Sequence, residues 1–283
     1  MVFAVRSMPV GICVVLLVLS VCASEVQTQV VSVDRTIHLF NGKDLSNFYT
    51  WLIDHKFEDP DSVFTVVDQI EGASAIRISG QHYGGLITRQ GYRNYRLVAE
   101  YRWGLITWGD RKDKARDSGI LVHAQGPEGN YSQDFNGPWM RSVEFQVIDG
   151  GVGDFILVNG YNKQGELITT SMTATARKDR DGEDVYDPQG KSLEFQGGRI
   201  NWYGRDPDWA DSLRFRGKED IESLDGQWTR AEVICEGDKI TNIVNGKVVN
   251  VGTRSSLIEG QILFQSEGAE IFFRRIDLQP LEK

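Results

Sequence analysis

The sequence predicts an all-β protein, a two-sheet antiparallel sandwich or jelly roll, carrying a long polar insertion at about residues 159–226. Three observations lead there. From Thr36 onward, short runs rich in Val, Ile, Phe and Tyr are punctuated by Gly, Asp and Asn. No window of about twelve residues or more carries a helical apolar stripe. Glycine makes up 30 of the 283 residues, above the ~7% usual in globular chains, as a turn-rich β protein requires.

Taken in order, strands are expected at 64–67, 75–79, 86–88, 95–103, 119–123, 142–148, 155–158, 228–235, 239–244, 247–251, 261–265 and 269–278. Arg96-Leu-Val-Ala-Glu-Tyr-Arg102 and Glu270-Ile-Phe-Phe-Arg-Arg-Ile-Asp-Leu278 alternate with period two and put charge on one face. Ile243-Val-Asn-Gly-Lys-Val-Val249 reads as a hairpin, with Asn245-Gly246 supplying the two positive-φ residues of a type I′ turn. The insertion is dense in charge (Arg177-Lys-Asp-Arg-Asp-Gly-Glu-Asp184) and broken by Pro188 and Pro207, yet holds aromatic islands at Phe195, Trp202-Tyr203 and Trp209. A stretch that long is unusual in a compact domain unless it is functional, and it is expected to form a flap over a ligand site. Neither an internal repeat nor a Gly/Ser linker interrupts the chain, so residues 25–283 read as a single domain.

Residues 1–24 read as a secretory signal of bacterial type. Arg6 gives a basic start, residues 10–19 are apolar, and small residues follow up to Ala23 and Ser24. An apolar run of about ten residues falls short of the ~20 of a spanning helix. A secreted or periplasmic protein without a membrane-spanning segment after cleavage is expected. Lipid anchoring through Cys22 is the alternative, against which Val21 speaks because a small residue normally precedes a lipid-bearing Cys. Cleavage removes Cys13 and Cys22 and leaves Cys235 alone, excluding an internal disulfide or a cysteine zinc site; in Ala231-Glu-Val-Ile-Cys235 it reads as a small core hydrophobe.

Charge narrows the function. With 40 acidic against 31 basic residues and a net charge of −9, the chain lacks the basic character that nucleic acid or anionic lipid demands. Phosphate loops, zinc-protease helices and serine nucleophile elbows are missing. Gly150-Gly-Val-Gly153 lacks the strand–helix context of a dinucleotide fingerprint, and Asp154 after it reads as turn chemistry. The four histidines are scattered, which argues against a multi-histidine metal cage.

One region concentrates polar residues on strands. Alternation along Asp117-Ser-Gly-Ile-Leu-Val-His123 places Gly119, Leu121 and His123 on one face, and Glu144 and Gln146 share a face of the next strand, about 6.6 Å apart. If the two strands are neighbours, His123, Glu144 and Gln146 converge. Glu100 and Arg102 have the same polar-face spacing, or form a solvated ion pair. Polar side chains on a sheet face beside some of the seven Trp suit a sugar, whose hydroxyls need donors and acceptors and whose C–H face stacks on indole. Glu144 and His123 are the candidate acid and base. Glu100, Arg102, Gln146, Trp139, Trp202, Arg205 and Trp209 are the candidate sugar-binding residues, and His123 with Glu144 could hold a divalent metal.

Four blocks make the chain resemble the 3-keto-disaccharide hydrolase family: Leu39-Phe-Asn-Gly-Lys-Asp-Leu-Ser46, Asp117-Ser-Gly-Ile120, Val143-Glu-Phe-Gln-Val-Ile148 followed by Gly150-Gly-Val-Gly-Asp154, and Phe264-Gln-Ser-Glu-Gly-Ala-Glu-Ile-Phe-Phe-Arg274. Arg199-Ile-Asn-Trp-Tyr-Gly-Arg-Asp-Pro207 is similar to a secreted subgroup with the same insertion. The resemblance implies a concanavalin A-like jelly roll and cleavage of 3-keto-glucosides by a lyase and hydratase route. A C3 ketone acidifies the C2 hydrogen; a base removes it, the C1 oxygen leaves, and water adds back, a net hydrolysis. Arg102 and Gln146 would hold the enolate or hydroxyls, a divalent metal would stabilise the enediolate, and a separate oxidoreductase would supply the 3-keto sugar. Two alternatives stay open: a non-catalytic carbohydrate-binding module, and a retaining glycosidase, for which Glu100 or Asp154 would have to partner Glu144.

Overall fold

The computed structural model describes residues 1–2 and 29–282; the expected signal segment beyond Val2, with Cys13 and Cys22, lies outside the described residues. Among those residues lie β1 (Val30–Ser32), β2 (Ile37–His38), β3 (Phe48–Leu52), β4 (Phe64–Ile70), β5 (Ala73–Ile78), β6 (Gly84–Thr88), β7 (Gly91–Arg93), β8 (Tyr95–Thr107) and β9 (Asp117–Gln125). They are followed by β10 (Arg141–Ile148), β11 (Phe155–Val158), β12 (Gly160–Tyr161), β13 (Leu167–Ile168), β14 (Ser171–Lys178), β15 (Asp184–Tyr186), β16 (Lys191–Gln196) and β17 (Gly198–Ile200). The last are β18 (Thr229–Glu236), β19 (Lys239–Val244), β20 (Lys247–Thr253), β21 (Gln261–Ser266) and β22 (Ala269–Gln279). The described helix is a single 3₁₀ turn, Gly109–Arg111, and no described helix is long and apolar enough to cross a membrane.

Two antiparallel sheets face each other in a sandwich. One has seven strands in the order β17-β11-β10-β9-β21-β6-β3. The other has eleven, nine of them in the order β15-β14-β20-β19-β18-β8-β22-β5-β4, with β16 on β14 and β2 on β22. Alternation explains the core. Val143, Phe145 and Val147 of β10 and Ile120 and Val122 of β9 point between the sheets, where they meet Leu97, Ala99, Val233, Ile271 and Phe273 from the other side. Phe264 and Phe273 cross the gap with ring centroids 5.2 Å apart. Cys235 is buried in this core, and burial pushes its thiol up to about 12. Asn245 and Gly246 take φ values of 47° and 80°, the turn expected of the β19–β20 hairpin.

The insertion is not a bare flap. Its β14 joins the eleven-stranded sheet through Thr173↔Thr253 and Ala174↔Gly252, and its β17 forms the edge of the seven-stranded sheet through Phe155↔Ile200. After β17 the chain runs irregularly past the β10–β11 turn, where Trp209 Nε1 donates to Asp149 O, and on to the eleven-stranded sheet, where Glu222 accepts from Tyr101 and Trp103 of β8.

Candidate active site

The outer face of the seven-stranded sheet carries the residues that the core rejects. Register puts Arg199 of β17, Ile156 of β11, Glu144 of β10 and Leu121 of β9 in one cross-strand row. The next row holds Gln146 and Gly119, and the one beyond it Ile148 and Asp117. On the far side of β9, β21 brings Gln265 and then Glu267, just past its end, to the same face. Gly119 is required for a close approach: a Cβ there would overlap both the Glu144 carboxylate and the Gln265 amide. Gln146 Nε2 donates to Asp117 Oδ1 at 2.5 Å, and Arg111 donates to Asp117 Oδ2. A second Arg111 interaction reaches Glu267 Oε1 at 3.9 Å.

Three carboxyls, Asp117, Glu144 and Glu267, are therefore gathered in a buried patch with Arg111 and Arg199. Burial pushes Glu144 up to about 8, and the Asp117 charge adds to the shift against the pull of Arg199 and a hydrogen bond from Gln265. Asp117 is raised by burial despite Arg111. Glu267 is raised well above the carboxylate range by burial and by Asp117 and Glu144. Like charges this close cannot all ionise, so the set shares protons near neutrality and holds an acid beside a base. Gln265 Oε1 is buried without a partner near the Glu144 carboxylate.

A cleft of about 440 Å³ opens above Asp117, lined by Arg111, Ile148, Arg199, Arg205, Trp209 and Asp211 among others. The β10–β11 turn builds its wall. Asp154, fully buried, accepts from Trp202 N at 2.7 Å, Arg205 Nη1 at 2.8 Å and Arg199 Nη1 at 3.2 Å. Asp149 accepts from Arg116 Nη2 at 2.8 Å and Arg214 N at 2.9 Å, and its carbonyl takes Trp209 Nε1 at 2.8 Å. Gly151 lies where any Cβ would strike the Arg205 guanidinium. The glycines that mimic a dinucleotide motif are thus a seat for the insertion.

The family model of the 3-keto-alpha-glucoside-1,2-lyase-like domain matches residues 35–279. The chain belongs to this family. No curated protein matches it. Solved structures similar to it include a protein from Parabacteroides distasonis provisionally named a glycosyl hydrolase, at 15% identity and TM-score 0.47, covering 88% of this chain and 94% of that one. The carbohydrate-binding module CBM66 of Bacillus subtilis gives 11% identity and TM-score 0.38, with 76% and 91% covered. The β-glucanase of Bacillus licheniformis gives 9% identity and TM-score 0.37, with 87% and 99% covered.

In this 3-keto-glucoside lyase-like chain the sequence-predicted residues divide sharply. Arg205 and Trp209 line the cleft, and Glu144 and Gln146 lie buried beneath it beside Asp117. Trp139 lies on the same outer face, stacked on Tyr83 with centroids 6.3 Å apart. His123 does not join them. A β-bulge breaks the pairing of β9 with both neighbours at this residue, and its φ of 56° turns the ring into the core. There it meets Tyr95 at 5.7 Å and Leu257 O at 3.1 Å, and burial lowers it to about 4. The expected convergence of His123 with Glu144 is corrected, and these two cannot share one metal ion from opposite faces. Glu100 and Arg102 stand on the other sheet: Glu100 accepts from Arg274 Nε at 2.7 Å, and Arg102 pairs with Glu71 at 2.9 Å. Arg102 therefore holds no enolate here. Trp202 is packed in the core rather than offered as a stacking platform.

Sequence reasoning did not single out Asp117, Glu267, Gln265, Arg111 and Arg199 as site residues. Four of them stand in the blocks that carried the resemblance, and strand parity alone would have put Asp117 on the Glu144 face. Asp154, read as turn chemistry, is the buried anchor of two arginines.

Proposed function

We propose that this protein is a carbohydrate-active enzyme that cleaves 3-keto-glycosides by elimination and rehydration, working outside the cytoplasm on sugars oxidised by a separate oxidoreductase. One observation carries the reading: an ionisable carboxyl, Asp117, floors a polar cleft with Glu144 and Glu267 behind it and guanidinium groups in its wall. Elimination needs such a set, because a proton must be taken at C2 and given at the glycosidic oxygen within one site.

Asp117, oriented by Gln146 and held by Arg111, takes the C2 proton. Arg199 or Arg205 faces the C3 oxygen and stabilises the negative charge that develops there. The C1–O bond breaks with its electron pair going to the departing oxygen, which receives the proton held by Glu144. Water then adds across C1=C2: the ionised Glu144 takes a proton from the water as its hydroxyl joins C1, and Asp117 delivers a proton, exchanged with solvent, to C2, so both carboxyls regain their starting states. Trp209, braced by Arg205 at 4.5 Å, offers an indole face to the sugar.

The test is incubation with a 3-keto-glucoside and with the unoxidised glycoside in D₂O. Aglycone release from the keto sugar alone, with deuterium at C2 of the product, is expected. Release from the unoxidised glycoside would replace the reading by a glycosidase, and sugar binding without release from either by a binding module.

A further inference from the structure

Away from the carboxyl patch, two of the four histidines meet. His55, in the loop between β3 and β4, and His82, in the turn before β6, pack edge to face with ring centroids 4.8 Å apart. Both present Nε2 to the same atom, Asp61 Oδ2, at 3.5 Å from His55 and 3.0 Å from His82. All three ligand atoms lie within 4.8 Å of one another. The histidines are scattered in the sequence, but chain reversal between β3 and β6 brings two of them, 27 residues apart, to one point.

We propose that His55, Asp61 and His82 bind a divalent transition-metal ion of the zinc class. Both histidine–aspartate spacings are those of a coordination shell. Ligands at ~2.0–2.1 Å from one ion stand roughly 3.3 Å apart in a tetrahedron and about 3.0 Å in an octahedron, and the two Nε2–Oδ2 separations bracket these values. Two imidazoles and one carboxylate select zinc-like ions over calcium and magnesium, which take oxygen ligands. His82 has the outer partner that metal-bound histidines have: its Nδ1 lies 3.3 Å from Asp54 Oδ2, which fixes the ring and leaves Nε2 for the ion. Two carboxylates, Asp61 and Asp54, balance a 2+ charge. The nearby cation, Lys56, is turned to Ile53 O at 2.8 Å and to Asn136. Three protein ligands leave positions for water. The ion would clasp the β3–β4 loop to the turn preceding Tyr83, the residue that stacks on Trp139 beside the cleft.

Protein stripped with chelator and titrated with zinc chloride in a calorimeter should bind one ion per chain and gain thermal stability. Asp54→Asn should weaken binding by about tenfold, and the double variant His55→Ala with His82→Ala should lose it, with the circular dichroism of metal-free wild type retained. Cobalt(II) should give a visible ligand-field spectrum that the double variant lacks. No zinc binding by wild type, zinc binding unchanged in the double variant, or equal affinity for calcium would each overturn the proposal. None of these readouts uses a sugar, so they stand apart from the proposed reaction.

Discussion

Glu144 is held in its acid form by its surroundings, and that has a consequence for stability. Burial holds the proton on this side chain to about pH 8, against 4.5 for a glutamate in water. Between those pH values the native state binds more protons than the unfolded state, so this group's contribution to stability is full below about 4.5 and is lost as pH rises towards 8. Glu144→Gln removes the charge without changing the shape. It should raise the melting temperature over wild type at pH 8, with the difference vanishing at pH 5, while lowering turnover by roughly 10²–10⁴-fold. Melting curves at the two pH values and single-substrate kinetics check both halves. An equal melting difference at both pH values would remove the raised pKa from the explanation. His123 works in the opposite sense: neutral and buried, it opposes unfolding less as pH falls from 6.5 towards 4.

At the scale of elements, the insertion is bound to the sandwich by the acids that bracket the β10–β11 turn. Asp154 satisfies Arg205, Arg199 and the Trp202 amide at once. Removing it leaves a buried guanidinium unpaired, at a cost of about 3–5 kcal/mol. Asp154→Ala should therefore lower the melting temperature by roughly 6–20 °C and open residues 199–216 to limited proteolysis before the sheets unfold. An unchanged digestion pattern would mean that the insertion is held by its strands alone. Those strands were hidden in the sequence. In Ser171–Lys178 the buried positions are Met172, Thr173, Ala174 and Ala176, too small and too polar to register as an apolar alternation. Lys191–Gln196 is mostly exposed, an edge strand held by backbone pairing to β14 rather than by burial. The twelve predicted strands, by contrast, all lie within or nearly within observed ones, because each buries at least one full face of large apolar side chains.

For the molecule as a whole, stability rests on the contact between the two sheets. Phe264 belongs to β21 and Phe273 to β22, which follow one another in the chain but lie in opposite sheets. Both side chains are fully buried. Phe264→Ala should cost about 3–5 kcal/mol, and far- and near-ultraviolet dichroism should lose the native signal in one transition. Two separated transitions would show that the sheets do not share one cooperative core.

What the sequence determined by itself was everything carried by a local period. Strand positions, the Asn245-Gly246 turn, the burial of Cys235 and the outward parity of Glu144 and Gln146 each follow from a few consecutive residues. What only the tertiary structure decided was which of those residues meet. The bulge at His123 reverses a side chain that strict alternation places beside Glu144. Asp117, Glu144 and Glu267 become one titrating set because β10, β9 and β21 are neighbours, and His55 reaches His82 because the chain turns back between them. A period of two is set by backbone geometry within a strand; convergence is set by long-range pairing and by single φ values, which no short window of residues contains.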